Sequence, residues 1–304
     1  MTTLSELISK NNLTHLNSIK QRSDLLQALR RFFWQEGFIE VETPIRLITP
    51  ALEDYIDAIP ASGKFLRTSP ELHMKRLLCD GAEKIFQIGA CFREHEQGER
   101  HREEFTMLEW YEANCDYRKI ADDLQALFKF CSKELACRED YFSQKFEVLS
   151  LEDAFANYAK ISLDESIAQN NFEEVLCFEV EPHLGKERPT LINDYPASMA
   201  ALSRKKPNAP HLAERFEIYV DGLELANAYS ELNDAQEQRL RFVECQDLRT
   251  SQKRITYDLD ENFLQALEQG MPEAGGIALG VDRLAMVLFG AEDISSVLAF
   301  GDEQ

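Results

Sequence analysis

Glu109 and Tyr111 stand two residues apart in the run 105–111, FTMLEWY. On a strand, a period of two puts Phe105, Met107, Glu109 and Tyr111 on one face and Thr106, Leu108 and Trp110 on the other. A carboxylate on an otherwise apolar strand is costly to bury unless a cation meets it, either an arginine of the protein or a ligand's ammonium. Arg93 closes the preceding apolar run, where a guanidinium facing a cleft suits an anion. Arg283 follows GGIALGVD, in the first turn of an apolar helix. A cation there opposes the helix dipole, and an anionic ligand would resolve the conflict. The small residues before it allow close approach to the backbone, yet the run is neither a Walker A loop nor GxGxxG.

Glu224 and Glu231 lie seven residues apart, with Asn227 between them. Paired carboxylates can hold Mg²⁺, with phosphates and waters completing its shell. Parity is awkward: a straight strand sends the two acids to opposite faces, so a shared metal needs a bulge or a strand end between them. Ser69-Pro70-Glu71 reads first as a helix start, with a capping serine, proline at the first helical position and an acid in the first turn. Two arginines, acids on separate elements and close-approach glycines together fit a site for ATP with magnesium and a small cationic substrate.

These groups need a scaffold. Ser23 can cap a helix with apolar positions Leu25, Leu26, Leu29, Phe32 and Phe33, stopped by Gly37. Residues 38–43 read as a strand ending at Pro44. Residues 84–93 and 105–111 read as two strands joined by the charged loop EHEQGERHREE. Residues 216–220 and 223–228 flank Asp221-Gly222, a strong hairpin signal. Residues 276–280 read as a strand, and 282–289 as a helix stopped by Gly290. Hairpins with helices between them indicate an α+β domain built on a mainly antiparallel sheet flanked by helices.

The 304 residues carry 33 Lys+Arg against 54 Asp+Glu, a formal net charge of −21. That opposes non-specific nucleic-acid binding and binding to anionic membranes. No apolar run reaches the roughly 20 residues of a membrane span. The N-terminus lacks a signal-peptide pattern. Seven cysteines without CxxC point to reduced thiols in the cytoplasm. The expected organisation is a short lead, 1–21, and one domain, 22–304.

The segments together resemble the three motifs of class II aminoacyl-tRNA synthetases. FIEVETP, ending at Pro44, is similar to motif 1, which builds a dimer interface in that family. Residues 91–111 resemble motif 2, and GGIALGVDRL resembles motif 3. TSPELHMKRLL and LELANAYSEL add the lysyl pattern. The nearest branch is that of lysyl-tRNA synthetase paralogues that ligate β-lysine to elongation factor P. Only about 20 residues precede the domain, which leaves no room for an anticodon-binding OB-fold. Residues 180–203 resemble that branch, and Ala278 stands where lysyl enzymes usually have glycine. An extra methyl there would favour a relocated amino group, and one carbon in a pocket shifts selectivity about 10- to 200-fold.

The resemblance implies a homodimer that forms an aminoacyl-adenylate from ATP, Mg²⁺ and (R)-β-lysine or lysine, then passes the acyl group to elongation factor P. By resemblance, Arg93 binds the α-phosphate and substrate carboxylate, Arg283 the γ-phosphate, and Phe105 stacks on adenine, with Leu225 and Gly280 also at the nucleotide. Glu224 and Glu231 hold Mg²⁺ and border the substrate with Asn227. Glu109 and Tyr111 take the distal ammonium, and Ser69, Pro70 and Glu71 lie near the other amine. Motif 2 departs from the family pattern. His95 replaces an acid, so His95, Glu94 or Glu96 is left to contact adenine at the ATP site, and Arg102 stands where asparagine is usual but can still reach a phosphate. The rival readings are a truncated enzyme that charges tRNA and a non-catalytic regulatory paralogue.

Overall fold

The computed structural model describes residues 4–200 and 202–301, so the first three residues of the expected lead, Ala201 and residues 302–304 lie outside the description. The fold is organised by an eight-stranded sheet: β1 (Ile39–Glu40), β2 (Lys84–Phe92), β3 (Glu104–Ala113), β4 (Glu147–Ser150), β5 (Thr190–Asn193), β6 (Arg215–Val220), β7 (Leu223–Ser230) and β8 (Ala274–Gly280). Its spatial order is β1-β2-β3-β8-β7-β6-β5-β4. The two outermost pairings are parallel and the inner ones antiparallel. The expected mainly antiparallel α+β architecture is therefore present.

One sheet face packs on α1 (Leu4–Gln35), α3 (Tyr117–Glu134) and α6 (Val281–Phe289). Phe86, Leu108, Trp110, Ile277 and Leu279 meet Phe33, Leu124 and Leu284 there, all buried. The opposite face packs on α2 (Glu71–Cys79), α4 (Ala235–Ser251) and α5 (Glu261–Gln269) through a second cluster containing Ile85, Tyr111, Leu78, Phe242 and Leu264. That second layer covers only part of the sheet, and the uncovered centre is the floor of the cavity described below.

Local signals explain most of these boundaries. Gly37 adopts φ +79°, and the N–H groups of Gly37 and Phe38 donate to the carbonyls of Trp34 and Phe33, which closes α1 with a left-handed glycine cap. Asp221 and Gly222 both have positive φ, 55° and 77°, as the tight β6–β7 turn requires. Two expectations fail. The first helix does not begin at Ser23 but at Leu4, and Ser23 sits inside it, accepting from Gln27 Nε2 at 3.2 Å. The residues before Ser23 contain no Pro or Gly to stop a helix. The strand expected over 38–43 shrinks to Ile39–Glu40, the two residues in register with β2; Val41 adds one bond, its N–H donating to the Phe86 carbonyl at 2.9 Å, and the pairing ends there. All seven cysteines are free, and no helix of the described residues is long and apolar enough to cross a membrane.

Candidate active site

Sheet register builds the site. Across β3, β8 and β7, Glu109 pairs with Ala278 and Ala278 with Asn227; one step along, Tyr111 pairs with Gly276 and Gly276 with Tyr229. Residues directly opposite in a ladder share a face, so these two rows form one floor. It opens a cavity of about 290 Å³, walled also by Ser69, Glu71, Arg93, Phe105, Glu224 and Arg283. Gly276 has to be glycine, because a Cβ there would run into Glu231 Oε1 and the Tyr111 ring.

The parity conflict between Glu224 and Glu231 is settled by a bulge. Ile218 pairs with Ala226 but Tyr219 with Glu224, so Leu225 is an extra residue on β7. The inserted residue turns Glu224 to the same face as Asn227, Tyr229 and Glu231, all of which line the cavity.

One end of the cavity is cationic. Arg93 lies over the Phe105 ring at 5.1 Å and pairs with Glu96 at 3.7 Å. Arg283 donates from Nη1 to the Glu224 carbonyl at 2.9 Å and makes a short contact with His101 Nε2. Burial and the charges of Arg283, Arg93 and Arg100 push the His101 pKa down to about 4. A neutral imidazole accepts from Arg283 instead of repelling it. Arg100 and Arg102 complete this wall. Clustered guanidiniums around a cleft are an anion site.

The other end is anionic. Glu109 is 1 % exposed and accepts from Ser69 Oγ at 2.7 Å and Tyr111 Oη at 2.8 Å. Ser69 Oγ also accepts from the Glu71 N–H at 2.9 Å, so it starts α2 while aiming its proton at Glu109. Lys75, fully buried, bridges Glu71 and Glu231 at 2.5 Å each. Burial alone would lower its pKa, but those two acids lift it to about 12. Two carboxylates thus share one protein cation, and Glu109 beside them has none. Burial, with Glu71 adding to it, raises Glu109 to about 8 despite its two donors. Among the described residues Glu109 has no ion-pair partner, and the buried Asn227 Oδ1 has no donor. Both lacks would be met by a ligand's ammonium.

The sequence model described as tRNA synthetases class II (D, K and N) matches residues 6–304. The chain belongs to this class II synthetase family. Among its relatives is an elongation factor P--(R)-beta-lysine ligase of Pectobacterium carotovorum, 37% identical over 99% of this chain and 100% of the relative. Proteins of the same name from Edwardsiella ictaluri and Photorhabdus laumondii are 38% and 37% identical, each match covering 98% of both chains.

Within this class II synthetase domain, the expected motif 2 is the β2–β3 hairpin and motif 3 is β8 with the start of α6. The expected site residues largely converge: Ser69, Glu71, Arg93, Arg102, Phe105, Glu109, Tyr111, Glu224, Leu225, Asn227, Glu231, Ala278, Gly280 and Arg283 all line the cavity. Pro70, Glu94 and His95 do not. Glu94 is turned away where its N–H bonds the Asp57 carbonyl, and His95 takes φ 70° with its N–H on Glu103. The acid of this loop that reaches the wall is Glu96.

Glu224 and Glu231, the pair expected to share a metal, both face the cavity. Lys75 pairs with Glu231 Oε2 while Glu231 Oε1 faces Gly276, and burial, with Glu217 and Glu181 against Arg283 and Arg215, leaves the Glu224 pKa at about 7. Among the described residues no three His, Cys, Asp or Glu are arranged to hold a metal alone. Sequence reading missed Lys75, one turn after Glu71 on α2. It also missed Glu53, on a loop without periodicity, and Glu217, hidden in the hydrophobic run of β6.

Proposed function

We propose that the protein activates (R)-β-lysine, or lysine, with ATP and transfers the acyl group to a lysine side chain of elongation factor P. The names of its relatives support the reaction. The observation that carries the substrate class is the buried, ion-pair-free Glu109 beside Ala278 and Asn227, at the far end of a cavity from four arginines. A molecule with two amines and one carboxylate fits that polarity. Its ammoniums meet Glu109, Tyr111, Glu71 and Asn227, and its carboxylate meets Arg93. The Ala278 methyl shapes the floor between them.

In the first step the substrate carboxylate attacks the α-phosphorus of ATP and pyrophosphate leaves. Arg93 spans the carboxylate and α-phosphate, Arg283 takes the terminal phosphate and Phe105 stacks on the adenine. Glu96 takes the exocyclic amine in place of Glu94 or His95, and Arg102 backs the phosphates. Catalysis by such a site is mainly positioning and charge stabilisation. Mg²⁺ would enter with the nucleotide and neutralise phosphate charge, and Glu224, crowded by Glu217 and Glu181, is the side chain suited to it. Glu231, one oxygen of which holds Lys75, would join Glu224 at the metal and border the substrate.

The homodimer reading rests on Trp34, Ile39, Ile45 and Ile48, large apolar side chains exposed around the motif 1 segment. A translation factor as acceptor places the enzyme in the cytoplasm. The domain division remains a lead, 1–21, followed by the catalytic domain, 22–304.

The test is ATP–pyrophosphate exchange. Exchange dependent on β-lysine and exceeding that with α-lysine supports the reading. Preference for α-lysine would shift it toward a lysine-transferring or tRNA-charging enzyme. No exchange with either amine would favour a regulatory paralogue.

A further inference from the structure

Amide formation needs a group to take a proton from the attacking nitrogen, and the acids of the cavity wall are nearly all committed. Glu71 and Glu231 hold Lys75, Glu96 pairs with Arg93, and Glu109 is held by Ser69 and Tyr111. Glu224 faces Arg283 at 3.7 Å, and Asp282 pairs with Arg22 at 2.6 Å. Glu53 is the exception: among the described residues it alone of the lining acids has no ion pair or side-chain hydrogen bond, and it is a half-buried lining residue whose carboxyl feels the charges of Arg93, Glu71 and Glu96 in the same wall.

Its position is fixed from behind. The fully buried Arg249 donates to the Glu53 carbonyl at 2.6 Å, to the Ile56 carbonyl at 2.9 Å and to the Asp57 carboxylate at 2.5 Å. Tyr257 Oη accepts from the Ala58 N–H at 2.8 Å, and Arg254 holds the Tyr55 carbonyl at 2.7 Å. The Asp57 carbonyl in turn accepts from the Glu94 N–H at 2.8 Å, which ties this loop to the end of β2 that carries Arg93. A loop clamped by one guanidinium is a rigid mount for a reactive side chain.

We propose that Glu53 is the general base of the transfer step. The proposal rests on the adenylate-transfer reading above. The acceptor lysine enters as its neutral amine, having lost one proton to solvent. Its nitrogen adds to the adenylate carbonyl carbon, and Glu53 takes the second proton as the C–N bond forms. The carbonyl carbon–oxygen bond to phosphate then breaks, AMP leaves with the electron pair, and Glu53 later returns its proton to solvent. The charges facing Glu53 are Arg93, Glu71, Glu96 and Asp54; burial and the three acids outweigh Arg93 and leave its pKa at about 7, matched to this task.

The test separates the two half-reactions in Glu53→Gln. We expect ATP–pyrophosphate exchange within about threefold of wild type, which also reports an intact fold. Transfer from preformed adenylate to elongation factor P should fall about 100-fold or more, the usual worth of a general base. Below pH 7 the wild-type transfer rate should climb with a slope near two, one proton from the amine and one from Glu53. The variant's slope should be near one. Glu53→Asp should recover part of the rate. Unchanged transfer, or equal loss of exchange and transfer, would overturn the assignment. A wild-type enzyme that exchanges pyrophosphate but forms no amide would instead remove the transfer reading, and this proposal with it.

Discussion

Glu109→Gln should make the ligand-free protein more stable and the enzyme nearly unable to hold its substrate. Glu109 is buried, accepts two hydrogen bonds and has a pKa raised from 4.5 to about 8, first by burial and then by Glu71. Below pH 4.5 it is neutral in both folded and unfolded chains. Between 4.5 and about 8 the unfolded chain ionises and the folded one stays protonated, so stability falls by about 1.4 kcal/mol per pH unit. The ceiling on that loss is about 5 kcal/mol at pH 8 and above. Glutamine removes it, and gives back about 1–2 kcal/mol through weaker bonds to Ser69 and Tyr111. The net expectation is a variant about 2–4 kcal/mol more stable at pH 8 and unchanged or slightly weaker at pH 4.5. Urea unfolding at the two pH values measures this. The functional cost runs the other way. Losing one partner of a buried charge pair costs about 2–5 kcal/mol, so the KM for the amino acid should rise about 30-fold to a few thousand-fold. A variant less stable than wild type at pH 8, or one whose KM is unchanged, would refute the claim that Glu109 is a carboxylate waiting for a substrate ammonium.

Other perturbations probe the same arrangement. Gly276→Ala drives a methyl into Glu231 and the Tyr111 ring; it should cost about 1–3 kcal/mol of stability and abolish substrate-dependent exchange. Ala278→Gly should move the ratio of kcat/KM for α-lysine over β-lysine upward by about 10- to 200-fold, read by exchange with each amine. Arg22 forks onto Asp282 at 2.6 Å and Thr106 Oγ1 at 2.8 Å, the chain neighbours of Arg283 and Phe105. Arg22→Met leaves Asp282 buried without its cation and should cost about 3–5 kcal/mol in urea unfolding.

The parts of the site that could be read in the sequence are those set by local periodicity. The period of two on β3 placed Phe105, Met107, Glu109 and Tyr111 on one face, and the structure keeps them there. Asp221-Gly222 named its own turn, and Arg283 at the start of an apolar helix pointed to a cleft, where the structure sets it with Arg93, Arg100 and Arg102. What escaped depended on distant partners. The Leu225 bulge is visible only against the register of β6, so parity alone set Glu224 and Glu231 on opposite faces. Lys75 sits one turn after Glu71, and nothing local says that Glu231, far along the chain, closes the bridge. The loop holding Glu53 has no pattern of its own; Arg249, nearly 200 residues later, gives it shape. The start of α1 was placed too late because Ser23 is a good capping residue that the helix simply runs through.

We propose, then, that a cavity polarised between arginines and an ion-pair-free buried carboxylate activates a diamino acid for transfer to protein. Intact-mass analysis of elongation factor P after incubation with the enzyme, ATP, Mg²⁺ and (R)-β-lysine, without tRNA, tests it most directly. The account predicts an added mass of one lysyl group on a single lysine side chain, dependent on ATP and lost in Glu109→Gln. An unmodified factor, with the amino acid instead recovered on added tRNA, would contradict it.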